Sequence, residues 1–180
     1  MSLSWGVEAF GNNPEAVNIW IGDERSISSW HNDFYENLYG VVVGTKIFDL
    51  LPPTTKWKYS SCPRASFFKQ TKNQKIVEKK NYYGTTHPVK DFPDWQIGYD
   101  ALEYTPWIDH NPHETPEPAP LRVKVQAGEI LYLPSLYYHR VTQTEMTIAV
   151  NYWHDMAYDA KYVYYNFIQN LQKEEARADM

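Results

Sequence analysis

The chain has one cysteine, Cys62, among its 180 residues. No internal disulfide and no cysteine-rich zinc finger can form, and a reducing cytoplasmic or nuclear setting fits that usage. Long apolar runs are missing as well. None approaches the ~20 residues of a membrane span, and the N-terminus lacks a signal-peptide core, so a soluble protein with no membrane partner is expected. Nor is there an excess of positive charge: 17 Lys and Arg against 22 Asp and Glu leave a net charge of -5. Direct nucleic-acid binding is therefore not expected. The H-E-x-x-H zinc helix and any nucleophile–base pattern are absent too, so nothing in the sequence supports a peptidase.

Aromatic side chains, by contrast, are abundant: they make up 16% of the chain, with 7 Trp and 15 Tyr. Such residues suit a wide β-sheet with a lined interior better than a helical bundle. At this length one domain is expected, with a substantial core. Ala16–Gly22 (AVNIWIG) reads as a strand closed by glycine. Residues 37–43 and 46–51 flank Gly44-Thr45 and predict a β-hairpin. Residues 121–125 and 130–133 flank Ala127-Gly128-Glu129 and predict a second strand pair. Strands at 137–142 and 146–153 follow, and short strands joined by tight turns predict an antiparallel sandwich or barrel. Residues 54–120 read as a long irregular insertion, the kind of loop that tends to be functional. It holds a basic cluster from Lys69 to Lys80 and a proline-rich run from Pro106 to Pro120. The cluster fits a solvated loop better than a substrate-contacting patch. One helix is predicted, over 157–175. Its apolar and aromatic residues are too many for a thin stripe, so packing on the barrel and self-association as a homodimer are both open.

The chemistry is concentrated in His31-Asn32-Asp33 and the distant His139. Residues two apart on one strand face the same way. A histidine from a neighbouring strand then completes two imidazoles and one carboxylate around a metal, the facial triad of non-haem Fe(II) oxygenases. H-x-D alone is a weak pattern, and a satisfied core or surface histidine is the plainer alternative. The setting strengthens it, because His139 follows a Leu-Pro-Ser turn within Tyr-Tyr-His. His87, His110, His113 and His154 lie in the insertion or at a strand's end and are weaker candidates. Lys46 shares a strand face with Phe48 and Leu50, so it points inward or is simply exposed at the turn. An inward lysine needs an anionic partner, which a dicarboxylic cosubstrate would supply. Asn37 and Asn151 stand in apolar strands and must find hydrogen-bond partners, either in a polar cavity wall or on the backbone.

The stretches AVNIWIG, WHNDFYENLYGVVVGTKIFDLLPP, VKVQAGEILYLPSLYYHRV and TIAVNYWHDM together resemble the JmjC branch of the 2-oxoglutarate oxygenases, in the cupin superfamily. Within that branch the YENLY, PWI, EILYLP, AVNYW and DMAYDAKY stretches are similar to the lysyl hydroxylase group. The resemblance implies an all-β double-stranded β-helix (a jelly-roll or cupin barrel). The catalytic domain would span 5–156, including the insertion at 54–120, with a C-terminal helix at 157–175. It implies Fe(II) held by His31, Asp33 and His139, with 2-oxoglutarate and O2 as cosubstrates. Lys46 would pair with the far carboxylate of 2-oxoglutarate, and Ser28 stands where relatives often have a threonine bonding the same group. Asn37 and Asn151 match cavity positions near the cosubstrate, Tyr39 would pack beside it, and Trp153 would line the pocket. The implied reaction is hydroxylation of a protein or peptide side chain, lysyl by resemblance to that group. Lysine demethylation and a non-catalytic peptide- or chromatin-binding scaffold are the alternatives. Relatives carry a sizeable region before the first strand that is nearly absent here. Its loss is expected to bear on stability, cosubstrate affinity and substrate choice more than on metal binding.

Overall fold

A computed structural model of the chain describes residues 3–57, 59–70, 76–82, 95–109, 114 and 116–178. In chain order the elements are α1 (Ser4–Phe10), β1 (Ala16–Gly22), β2 (Ser28–His31), β3 (Tyr35–Val43), β4 (Thr45–Leu51), β5 (Tyr59–Gln70), β6 (Ile76–Tyr82) and β7 (Trp95–Ile108). They continue with β8 (Leu121–Gln126), β9 (Ile130–Leu133), β10 (Tyr138–Gln143), β11 (Thr147–Asp155) and α2 (Ala160–Ala178). They form two units, residues 1–56 with 112–180, and residues 57–111.

The first unit holds two four-stranded sheets, ordered β1-β11-β3-β9 and β2-β10-β4-β8. Every pairing in them is antiparallel. Strands consecutive in the chain fall in alternate sheets, which is the winding of the expected jelly roll. Their inward faces share one core, with Tyr39, Val41, Leu133 and Ala149 from the first sheet and Phe48, Leu50, Val125 and Val141 from the second.

This winding overturns both predicted hairpins. β3 and β4 belong to different sheets, as do β8 and β9. Gly44 turns the chain from one sheet into the other at φ 77°. A Cβ there would lie 2.5 Å from the Met146 carbonyl oxygen. The two corners instead bond each other: Ala127 N donates to Gly44 O at 3.0 Å and Gly128 N to Val41 O at 2.8 Å. A glycine between two apolar runs signals a reversal, but the strands that finally pair are set by distant segments.

Two helices lie in this unit. α1 has no counterpart in the sequence reading, because it is one short turn pair with no capping side chain. It is fixed by packing: Gly6 approaches Leu38 so closely that a Cβ would sit 2.8 Å from its Cδ1, and Phe10 rests on His154 and Tyr132. α2 starts at Ala160 rather than 157, where the Asp159 carboxylate accepts from Lys161 N at 2.9 Å and caps the first turn.

The second unit corrects the reading of 54–120 as irregular. Its strands form an antiparallel sheet in the order β6-β5-β7. Pro63, inside β5, sits beside the register shift at Pro63/Arg64, the sort of place where a ladder tolerates proline. The lysine cluster runs through the end of β5 into β6, but residues 71–75 within it lie outside the described residues, as do His87, His110 and His113. Among the described residues, no helix is long and apolar enough to cross a membrane.

Candidate metal centre

β2 and β10 pair so that His31 stands opposite His139, with ring centroids 4.2 Å apart. Asp33 is not on the strand with His31. β2 ends at His31, and residues 32 and 33 begin the connection to β3. Strand alternation therefore does not place the carboxylate; the turn does. Leu136 N donates to Asp33 O at 2.8 Å, and Leu136 itself takes a left-handed conformation, φ 70°. Asn32 Nδ2 donates to the Tyr165 hydroxyl at 2.9 Å and reaches Leu136 O at 3.4 Å.

Asp33 Oδ2 lies 3.8 Å from His31 Nε2 and 3.6 Å from His139 Nε2. One ligand atom from each residue fits within a 4.8 Å spread. Adjacent donors on an octahedral ion with bonds near 2.1 Å are about 3 Å apart, so the three are set slightly wider than an ion would draw them. Both imidazoles are oriented from behind: Nδ1 of His31 faces Ser29 O at 2.7 Å, and Nδ1 of His139 faces Tyr137 O at 3.1 Å. Donation from Nδ1 to a carbonyl assigns the tautomer in which Nε2 carries the lone pair, the usual support behind a metal-binding imidazole. Burial and the neighbouring His31 hold His139 well below its ordinary value, only partly countered by the Tyr137 carbonyl. Burial also raises the Asp33 carboxyl, while His31 acts to lower it. Two imidazoles and a carboxylate on one side of the centre suit Fe(II) and leave other positions for exogenous ligands.

Lys46 is buried, 6% exposed. It faces inward with Phe48 and Leu50, in line with the triad: along the β4–β10 ladder, His139 stands opposite Leu50, Val141 opposite Phe48 and Gln143 opposite Lys46. Four residues of strand, about 13 Å, separate the first and last of these rows. Burial lowers the Lys46 ammonium to about 8. Its partner is neutral: Nζ donates to Gln143 Oε1, and Gln143 Nε2 donates onward to Asp23 O at 2.8 Å. Among the described residues no carboxylate pairs with it. Ser28 lies opposite Val141 on β2, flanking β10 on the side away from Lys46.

The facing sheet brings Asn37, Tyr39, Asn151 and Trp153 onto one face, with Tyr39 opposite Asn151 and Asn37 opposite Trp153. The asparagines do not turn to the backbone. The Trp20 indole donates to Asn151 Oδ1 at 3.0 Å, and Asn151 Nδ2 donates to Asn37 Oδ1 at 3.2 Å. An indole can only donate, which fixes the direction of both amides and leaves the Asn37 NH2 as the terminal donor. Tyr39 packs edge-on against Phe48, 4.9 Å between centroids. Trp153 stacks on Tyr35 at 4.8 Å. The Trp153 Nε1 and Asn18 Nδ2 donors are buried without a hydrogen-bond partner among the described residues.

Sequence reasoning missed Trp20, Gln143 and Tyr35. Gln143 was within reach, since it lies on the His139 face of β10, two alternations further on; Trp20 had no local signal. His154 belongs elsewhere: it is fully buried under α1, its Nδ1 against Asn12 O at 3.0 Å.

The profile of the cupin-like domain matches residues 1–160. The chain belongs to the cupin-like family. Among its cupin-like relatives are JmjC proteins, as the resemblance led us to expect. It is 39% identical to the lysine-specific demethylase JMJ32 of Arabidopsis thaliana, over 94% of this chain and 50% of that protein. It is 40% identical to JmjC domain-containing protein E of Dictyostelium discoideum, over 95% and 51%. Identity is 34% to the human bifunctional peptidase and (3S)-lysyl hydroxylase JMJD7, again over 95% and 51%. The chain thus spans about half the length of these curated relatives.

Proposed function

We propose that this cupin-like domain is an Fe(II)- and 2-oxoglutarate-dependent dioxygenase that hydroxylates a lysyl side chain of a protein or peptide. The observation that carries the reading is the buried Lys46 ammonium, which has no carboxylate partner among the described residues and stands on the inward face of the sheet that supplies His31 and His139. A buried cation without a counter-ion is costly, and a bound dicarboxylate removes that cost.

His31, Asp33 and His139 would hold the iron through Nε2, a carboxylate oxygen and Nε2. Bound iron and 2-oxoglutarate supply the O2-dependent oxidation of an unactivated C–H bond, with succinate and CO2 as co-products. The protein's contribution is orientation. Lys46 would receive the far carboxylate with Gln143 behind it, and Ser28 would reach it from the β2 side. The Asn37 amide, aimed by Asn151 and Trp20, would offer its N–H to an acceptor in the cavity. Tyr39 and Trp153 would form apolar walls that keep water from the reacting centre. The domain would run over 5–156, and a homodimer acting in cytoplasm or nucleus is compatible with it.

The lysyl target is drawn from the relatives, one named a lysyl hydroxylase and one a lysine-specific demethylase. A net charge of -5 suits a basic peptide. Demethylation is the second reading, because the same C–H oxidation on an N-methyl group releases that group.

Anaerobic titration of Fe(II) and 2-oxoglutarate tests the centre through the weak visible charge-transfer band of the chelate. The band should form in the wild type, vanish in His31→Ala and weaken in Lys46→Ala. Turnover of lysine and methyl-lysine peptides then separates the outcomes: an added oxygen marks hydroxylation, a lost methyl group marks demethylation. Peptide binding that needs no iron and yields no succinate would point to a scaffold.

A further inference from the structure

We propose that α2 is the positioning element of the metal centre, acting through Tyr165 on the turn that carries Asp33. The inference rests on the iron-site reading above and adds a residue that no ligand pattern identifies.

The contacts of the Asp33 carboxylate to the two imidazoles, at 3.6 and 3.8 Å, are longer than hydrogen bonds. They do not hold it in place. Its position comes from the backbone of residues 32–36, and one helix face grips that segment at every second residue. Tyr165 accepts a hydrogen bond from Asn32, the residue between the two ligands. The rings of Tyr162 and Tyr165 meet Phe34 edge-on at 6.1 and 6.3 Å. Lys161 Nζ bonds Glu36 Oε1 at 2.8 Å and Ser135 Oγ at 2.7 Å. Gln169 Nε2 donates to the hydroxyl of Tyr138, the neighbour of His139. Residues 161, 162, 165 and 169 lie on one side of a helix. The helix therefore spans the two segments that bring Asp33 and His139 together.

Bonding only from behind is what a ligand turn needs, since the groups that face the ion must stay available to it. Groups bonded directly to a ligand typically account for about 10–100-fold in metal affinity; Tyr165 acts one residue further out, through Asn32, so the low end of that range is expected. Tyr165→Phe removes the hydroxyl and keeps the ring on Phe34, so it separates orientation from packing.

The test is Co(II) titration of the full chain, followed through the visible d–d absorption, on wild type, Tyr165→Phe, Asn32→Ala and the double variant. Thermal unfolding of each metal-free protein runs alongside. We expect Tyr165→Phe to weaken Co(II) about tenfold and alter the d–d spectrum, with the metal-free Tm nearly unchanged. In the Asn32→Ala background the same change should have little further effect. Wild-type affinity and spectrum in Tyr165→Phe would overturn the proposal, as would an equal loss in the Asn32→Ala background or a loss matched by a lowered metal-free Tm. Failure of the wild type itself to bind Co(II) would instead overturn the iron-site reading on which the proposal stands.

Discussion

Replacing Lys46 with methionine should stabilise the ligand-free protein and abolish tight cosubstrate binding. Burial moves the ammonium from 10.5 to about 8, and a shift of that size corresponds to about 3 kcal/mol of destabilisation of the charged form at neutral pH. Methionine has a similar length and no charge. Its substitution leaves Gln143 Oε1 without a donor, at about 1 kcal/mol, so a net gain of about 2 kcal/mol is expected at pH 7. The sign reverses for binding: loss of the buried Lys46 cation should weaken 2-oxoglutarate by about 100-fold or more. Urea unfolding at pH 7 and pH 10 tests the first half. Between about pH 8 and 10.5 the unfolded chain holds a proton that the folded wild type has released, so wild-type stability rises with pH relative to Lys46→Met. The gap should be largest at pH 7 and close as pH rises. A variant less stable than wild type by a pH-independent amount would refute the reasoning, because Lys46 would then be serving a structural partner.

Three further outcomes follow from the same structure. Affinity for 2-oxoglutarate in the presence of Co(II) should fall as pH rises, because a lysine that releases its proton at about 8 when ligand-free must carry it to bind a dicarboxylate; calorimetry in Lys46→Met should show a flat profile over the same window. Glu36 is the opposite case: burial would raise its carboxyl, but bonds from Lys161, Tyr132 and Ser135 bring it down to about 2. That stabilisation is present above pH 4.5 and lost toward pH 2, so Glu36→Gln should cost about 1 kcal/mol at pH 7, after allowance for solvent screening, and flatten acid unfolding in that window. Gly44→Ala should destabilise by about 1–3 kcal/mol in urea unfolding, because a side chain there meets the Met146 carbonyl in a left-handed backbone.

Much of the site was legible because its signals are local. His31 and Asp33 are two residues apart, His139 follows a distinctive turn, and Lys46 stands on the strand face that continues with Phe48 and Leu50. The neutral partner Gln143 and the indole of Trp20 lie 97 and 131 residues from the groups they bond. Contacts of that separation leave no periodic trace. The insertion misread as irregular has the same cause: β5 and β7 are long strands of mixed polarity with a proline inside, and only their pairing over Tyr59↔Ile108 to Lys69↔Trp95 makes them a sheet.

By itself the sequence determined the residue chemistry and the local chain direction: which side chains can ligate a metal, where glycine must turn the backbone, and which runs favour strands. Those follow from side-chain type and from alternation over a few residues. Tertiary structure decided the pairing. It placed β3 and β4, and likewise β8 and β9, in opposite sheets, brought Asp33 to the imidazoles through a turn rather than along a strand, and laid α2 behind that turn. Each depends on burial and hydrogen bonds between segments far apart in the chain, which exist only once both sheets have closed on a common core.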